Sequence, residues 1–181
     1  TTNGAGRVCD TPDRILFDLD AGGGERIPRF DEAAMLCREL GLLANVEIKP
    51  AAGHDIATAE AVSRLADELW RGADVPPLLS SFSLTALEVA RDLAPAVPRG
   101  VLFDEPPADW REVLRRLRAV SLHCDAGLLC DAVLAEARAH AIPVLCYTVN
   151  EPEAAQALFA RGVSALFTDR LDLFCGDTTS Y

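Results

Sequence analysis

The stretch NVEIKPAAG, residues 45–53, sets a glutamate and a lysine two positions apart in a run otherwise built for a core. Side chains alternate along a strand, so Val46 and Ile48 share one face while Glu47 and Lys49 share the other. A carboxylate is a hard oxygen ligand suited to Mg²⁺ or Ca²⁺. An ammonium is a point charge suited to a phosphate. Burying either without a partner is costly, so a strand that keeps both holds a structural ion pair or a site that supplies other partners. Further strand ends carry polar or aromatic groups: Ser80, Ser81 and Phe82 close LLSSF, His123 lies in SLHC, and Tyr147 and Asn150 lie in CYTVN.

Each of these groups also has a plainer role open to it. Ser121 and His123 share a face opposite Leu122, as a hydrogen-bonded interior histidine or a substrate contact would. Asn150 precedes Glu151, Pro152 and Glu153, which reads as a helix start in capping-box style. Tyr147 fits barrel filling or a pocket wall, and Asp169 a strand terminus. His54 and His140 read as surface residues.

The elements that must position these groups alternate in series. From about residue 30 onward, β-rich apolar runs (NVEIK, LLSSF, GVLFD, AVSLHC, PVLCYTV and ALFTD) are separated by segments of helical spacing. In DEAAMLCREL an apolar stripe of Ala34, Met35, Leu36 and Leu40 ends at Gly41, a residue suited to a left-handed cap. Between Ile56 and Trp70 the stripe is Ala59, Val62, Leu65, Ala66 and Leu69. In DWREVLRRLR it is Trp110, Val113, Leu114 and Leu117, leaving Arg111, Arg115, Arg116 and Arg118 on a solvated outer face among Asp109 and Glu112.

Serial βα units demand parallel strands with right-handed crossovers, hence a doubly wound sheet or a (β/α)8 TIM barrel. No GxGxxG follows a strand, and Gly22–Gly24 reads as a flexible connection rather than a phosphate cradle. The barrel is the expected α/β fold, with about six of its eight units visible. Residues 1–181 then form a single, partial domain, with the remaining units expected before Thr1; the opening TTNGAGRVCD has no methionine and begins in turn chemistry. In such a barrel Glu47 and Lys49 point to the axis near the carboxyl ends of the strands, where active sites of this fold lie.

Composition narrows the partners. With 28 acidic and 17 basic residues the formal charge is -11, a field that repels nucleic acid and anionic membrane surfaces. No apolar run approaches the ~20 residues of a membrane span, so stable membrane insertion is not expected. The six cysteines, at positions 9, 37, 124, 130, 146 and 175, form no CxxC and suit a reduced, cytoplasmic setting. Nothing in the chain indicates an oligomeric state.

Taken in order, TTNGAG, NVEIKP, SSFS and CYTVNEPEAAQALFARGVSALFTD resemble the glycerophosphodiester phosphodiesterases, bacterial type, over nearly the whole chain. The resemblance implies a (β/α)8 domain that hydrolyses a small-molecule glycerophosphodiester to glycerol 3-phosphate and an alcohol with a divalent cation, Mg²⁺ or Ca²⁺. It implies Glu47 as a metal ligand and Lys49 as the lysine beside the substrate phosphate. Ser81 and Phe82 match a strand end lining the pocket, His123 a histidine of a later strand, and Tyr147 a position the family usually fills with tryptophan. The family's catalytic histidine pair and its Glu-x-Asp ligands match no position here and are expected upstream of Thr1, so these residues alone are expected to be inactive. LDAGGGERIPRF is shorter than the family's usual connection, and Leu171 stands where proline is expected after TDR. The competing readings are another barrel-type phosphodiesterase, such as a phosphoinositide-cleaving relative, and a non-catalytic ligand-binding barrel.

Overall fold

The computed structural model describes residues 2–174; Thr1 of TTNGAG and Cys175 of the cysteine set lie outside them. The chain opens with a 3-10 turn (Val8–Asp10) and a short helix α1 (Asp13–Leu16). A bridge between Asp20 and Arg26 then closes over the glycine run. There the Asp20 carboxylate accepts from Gly22 N at 2.7 Å and Gly24 N at 3.2 Å. Those backbone donors are turned onto a carboxylate, which agrees with a connection rather than a phosphate cradle.

From α2 (Phe30–Glu39) the alternation is regular: β1 (Asn45–Glu47), α3 (Asp55–Leu69), β2 (Leu78–Ser81), α4 (Leu84–Leu93), β3 (Arg99–Phe103), α5 (Trp110–Leu117) and β4 (Ser121–Asp125). The series continues with α6 (Asp131–Ala139), β5 (Val144–Tyr147), α7 (Pro152–Arg161), β6 (Ala165–Leu166) and α8 (Leu171–Phe174). The six strands are parallel and lie in sequence order. The sheet curls, because residues of β1 and the residue following β6 line one cavity. This is an arc of a (β/α)8 barrel, with β1 and β6 at its two edges.

Alternation along the strands sorts the core. Val46, Ile48, Leu79, Val101, Leu122, Cys124, Val144 and Cys146 face the helices and make the apolar layer. The α5 stripe of Trp110, Val113, Leu114 and Leu117 is buried throughout, and its arginines pair outward: Arg111 with Glu136, Arg115 with Glu112, Arg116 with Glu88. Arg99 is the exception on the helix-facing side. Its guanidinium is buried and donates to the carbonyls of Val97 at 2.7 Å, Leu117 at 3.1 Å and Arg118 at 3.2 Å, satisfying acceptors left over where α5 ends.

Two helical stripes differ from expectation. In α2 only Ala34 is buried, while Met35, Leu36 and Leu40 are 58%, 54% and 62% exposed. The helix packs against α3, and among the described residues β1, which follows it, pairs with β2 alone. Gly41 does end it as expected, at φ 67°, with Gly41 N donating to Arg38 O and Leu42 N to Cys37 O in a Schellman pattern. In α3 the buried line is Ala59, Ser63 and Ala66, and Leu65 stands outside. Ala59 and Ala66 pack in one cluster with Ala86 and Ala90 of α4, where short side chains let the two helices approach closely. No helix among the described residues is long and apolar enough to cross a membrane.

Candidate active site

The inner face of the arc carries the chemistry. Asn45 and Glu47 of β1, Lys49 just beyond it, Phe82 after β2, Leu102 of β3, Tyr147 and Thr148 at the end of β5, and Phe167 after β6 enclose a cavity of about 210 Å³. Ile48, between the two charges, is turned the other way into the helix-facing core. Glu47 and Lys49 are exposed at the cavity rather than buried, and among the described residues no ion pair joins them. The heavy desolvation cost anticipated for them is therefore absent. Lys49 is also the only lysine in the chain.

Tyr147 forms the opposite wall. Its hydroxyl lies 2.9 Å from Phe103 O and 3.2 Å from a carboxylate oxygen of Asp104, and donates toward both. Burial, with Asp104 adding to it, pushes the phenol above its ordinary range, so the ring stays neutral. Phe82 meets it edge to face, centroids 5.9 Å apart and planes at 76°. The strand end SSF thus supplies an aromatic to the cavity through Phe82.

Ser81 does not join it. It lies in β2 on the helix-facing side with Leu79, fully buried, where its hydroxyl donates to Ile48 O at 2.6 Å and accepts from Ser83 N at 3.0 Å. Its role is to tie the end of β2 to the turn after β1, one position out of phase with the wall expected of it. Ser80 faces inward instead and is buried with no hydrogen-bond partner among the described residues.

His123 lies beneath the cavity rather than on its wall. The imidazole is fully buried, its Nε2 is 2.9 Å from Ser121 Oγ, and its ring packs 5.5 Å from that of Phe167. Burial holds it down to about 4, so the ring is neutral at ordinary pH. Room for it comes from β3: a Cβ built on Gly100 would sit 2.6 Å from His123 Nε2.

Asn150 corrects the capping expectation. Glu151 is the N-cap of α7, Pro152 is its first residue, and no side chain caps it. Asn150 reaches across to the chain after β6 instead, accepting from Asp169 N at 2.9 Å and Thr168 Oγ1 at 3.0 Å. Asp169 serves as the partner in this strap. His54 and His140 are exposed, as expected.

The cavity residues that sequence reasoning left out are Asn45, Leu102, Thr148 and Phe167. Asn45 and Leu102 were accessible from the same alternation that placed Glu47 inward. Phe167 and Thr148 lie past strand ends, where alternation gives no signal.

A divalent cation needs several oxygen ligands. Among the described residues no three His, Cys, Asp or Glu side chains converge to hold one. Glu47 is a single carboxylate at the cavity, and the described residues alone do not make a cation site.

A model of the glycerophosphoryl diester phosphodiesterase family matches residues 1–173. A glycerophosphodiester phosphodiesterase of Caldanaerobacter subterraneus is 27% identical over 180 residues, covering 93% of this chain and 72% of that protein. An Oleispira antarctica phosphodiesterase, solved in complex with the product sn-glycerol-3-phosphate, is 31% identical with a TM-score of 0.86, over 93% of this chain and 71% of its own. A glycerophosphodiester phosphodiesterase from Agrobacterium tumefaciens, 22% identical, shares the fold at a TM-score of 0.73 over 96% of this chain and 75% of its own. The inward Glu47 and Lys49, the aromatic wall facing them and a family match over nearly the whole length lead to one conclusion: the chain belongs to the glycerophosphoryl diester phosphodiesterase family.

Proposed function

We propose that Lys49 holds the phosphate of a glycerophosphodiester at the charged side of the cavity, for hydrolysis to glycerol 3-phosphate and an alcohol. The observation that carries this is a lysine with no ion-pair partner among the described residues, facing a cavity whose other side is aromatic and aliphatic. A phosphodiester is already an anion, and attack on it requires the charge on its nonbridging oxygens to be offset, which an ammonium beside it does. Phe82, Tyr147 and Phe167 offer apolar surface to the carbon skeleton while the hydroxyl of Tyr147 is engaged elsewhere.

Glu47 is proposed as one oxygen ligand of a divalent cation, Mg²⁺ or Ca²⁺. Such an ion would add Lewis-acid stabilisation of the phosphate. The described residues supply no cluster to complete its shell, so the phosphate handling assigned here rests on Lys49 alone. No general acid or base is assigned either: His54 and His140 are exposed and do not line this cavity, and His123 is buried below it. Free thiols at Cys9, Cys37, Cys124, Cys130 and Cys146 support a reducing, cytoplasmic setting.

Because Lys49 is the sole lysine, it can be observed alone. Reductive ¹³C-methylation leaves its charge in place and labels one side chain besides the terminal amine. Glycerol 3-phosphate should shift the Lys49 methyl resonance and glycerol should not. A resonance indifferent to both would overturn the assignment.

A further inference from the structure

Lys49 borders a second and larger space. On the side away from the aromatic wall, a cavity of about 790 Å³ opens between the turn at the start of the chain and the connection from β1 into α3, lined by Arg7, Val8, Lys49, Pro50, His54 and Thr58 among others. Its surface is mainly apolar, and none of the described side chains that line it is a carboxylate. Arg7 and Lys49 are cations, His54 brings an imidazole and Thr58 a hydroxyl, in a chain whose net charge is -11.

The nearby carboxylates do not cancel this. Asp55, at the start of α3, accepts a hydrogen bond from Ser83 Oγ at 2.6 Å and so is engaged at the N-cap of α4. Asp10 lies 3.6 Å from Arg7 with both side chains 64% exposed, a pair that a competing anion displaces at little cost. The N-cap of α3, His54, makes no side-chain cap, so the positive end of a 15-residue helix begins at the cavity edge.

A phosphodiester has two ester arms. With its phosphate at Lys49, one arm faces the aromatic cavity and the other faces this one. We propose that the second cavity is the subsite for the alcohol moiety, and that it selects an alcohol bearing a second anionic group such as a phosphate monoester. The inference rests on the phosphodiester reading of Lys49 given above. Arg7 and His54 are then specificity-determining residues, contacting the far end of the substrate while Lys49 is shared.

The test is equilibrium binding to the intact chain, measured by calorimetry with three probes: a glycerophosphoinositol phosphate, unphosphorylated glycerophosphoinositol, and glycerophosphocholine. The exposed cation Arg7 favours the phosphorylated probe by about two- to fivefold over the other two. In Arg7→Glu with His54→Gln that ratio should fall to near unity. Equal affinity for all three probes, or a ratio the double variant does not move, overturns the subsite. The methylated Lys49 resonance separates this from the underlying reading. If glycerol 3-phosphate still shifts it, only the subsite has failed; if the anionic preference persists while glycerol 3-phosphate has no effect on Lys49, the phosphate assignment has failed and the anion site stands.

Discussion

His123 and Phe167 pack with ring centroids 5.5 Å apart and planes tilted by 46°, the imidazole buried directly under a ring that lines the cavity. Its neutral state is part of that packing. Burial lowers the folded-state value to about 4, against about 6.5 for an unfolded histidine. The stabilisation is therefore fully present above about pH 6.5 and is lost as pH falls through the folded value. Between those limits the unfolded chain binds the extra proton, and stability falls by an upper limit of about 3 kcal/mol. Urea unfolding of wild type and His123→Gln across this range checks it: the wild-type curve should be steeper, and parallel curves would show that His123 does not titrate differently on unfolding.

Gly100 is the space that histidine occupies. A Cβ there would come within 2.6 Å of His123 Nε2 and 2.7 Å of Ser121 Oγ, both of them buried. Gly100→Ala should cost about 1–3 kcal/mol by overpacking. The cost should shrink in a His123→Ala background, because the obstructing ring is gone; additive losses in a double-mutant cycle would place the strain elsewhere.

The parts of this molecule that follow from period were legible in its sequence. Six strands, their parallel order and the inward turn of Glu47 and Lys49 all come from alternation around Val46 and Ile48 and from helices between strands. Period fails where its phase is not anchored. In LLSSF two serines precede one phenylalanine, and only the structure shows that Phe82 and Ser80 face in while Ser81 ties backbone to backbone. It fails also where burial depends on a neighbour outside the local run: the Met35, Leu36 and Leu40 stripe is a good amphipathic face, yet among the described residues nothing covers it. Asn150 has the sequence of a cap, yet its side chain is claimed by Thr168 and Asp169 from the segment after β6, which sequence proximity does not reveal.

Tyr147 is held upright by contacts that only its hydroxyl makes, to Phe103 O and Asp104. Tyr147→Phe keeps the edge-to-face contact with Phe82 and removes those bonds, which should cost about 1 kcal/mol of stability. A looser wall blurs the fit of the carbon skeleton without touching the phosphate, so KM should rise more than kcat falls in a form of the enzyme that turns over substrate. A change confined to kcat would instead mean that the hydroxyl takes part in the reaction.

The charged side of the cavity makes the sharper demand. Lys49→Met removes a fixed charge at an exposed position, so folding stability should stay within about 0.5 kcal/mol of wild type. In a form of the enzyme that turns over substrate, hydrolysis of glycerophosphocholine should nevertheless drop by about 100- to 1,000-fold, the loss typical of a deleted electrostatic stabiliser. Lys49→Arg keeps the charge on a bulkier, planar head and should recover only part of the rate. Glu47→Gln separates the two neighbours: a carboxylate that recruits a cation loses rate in a way that added Mg²⁺ or Ca²⁺ partly restores, whereas added metal does nothing for Lys49→Met. Metal rescue of both variants, or of neither, would mean that Glu47 and Lys49 do not divide the work between cation and phosphate.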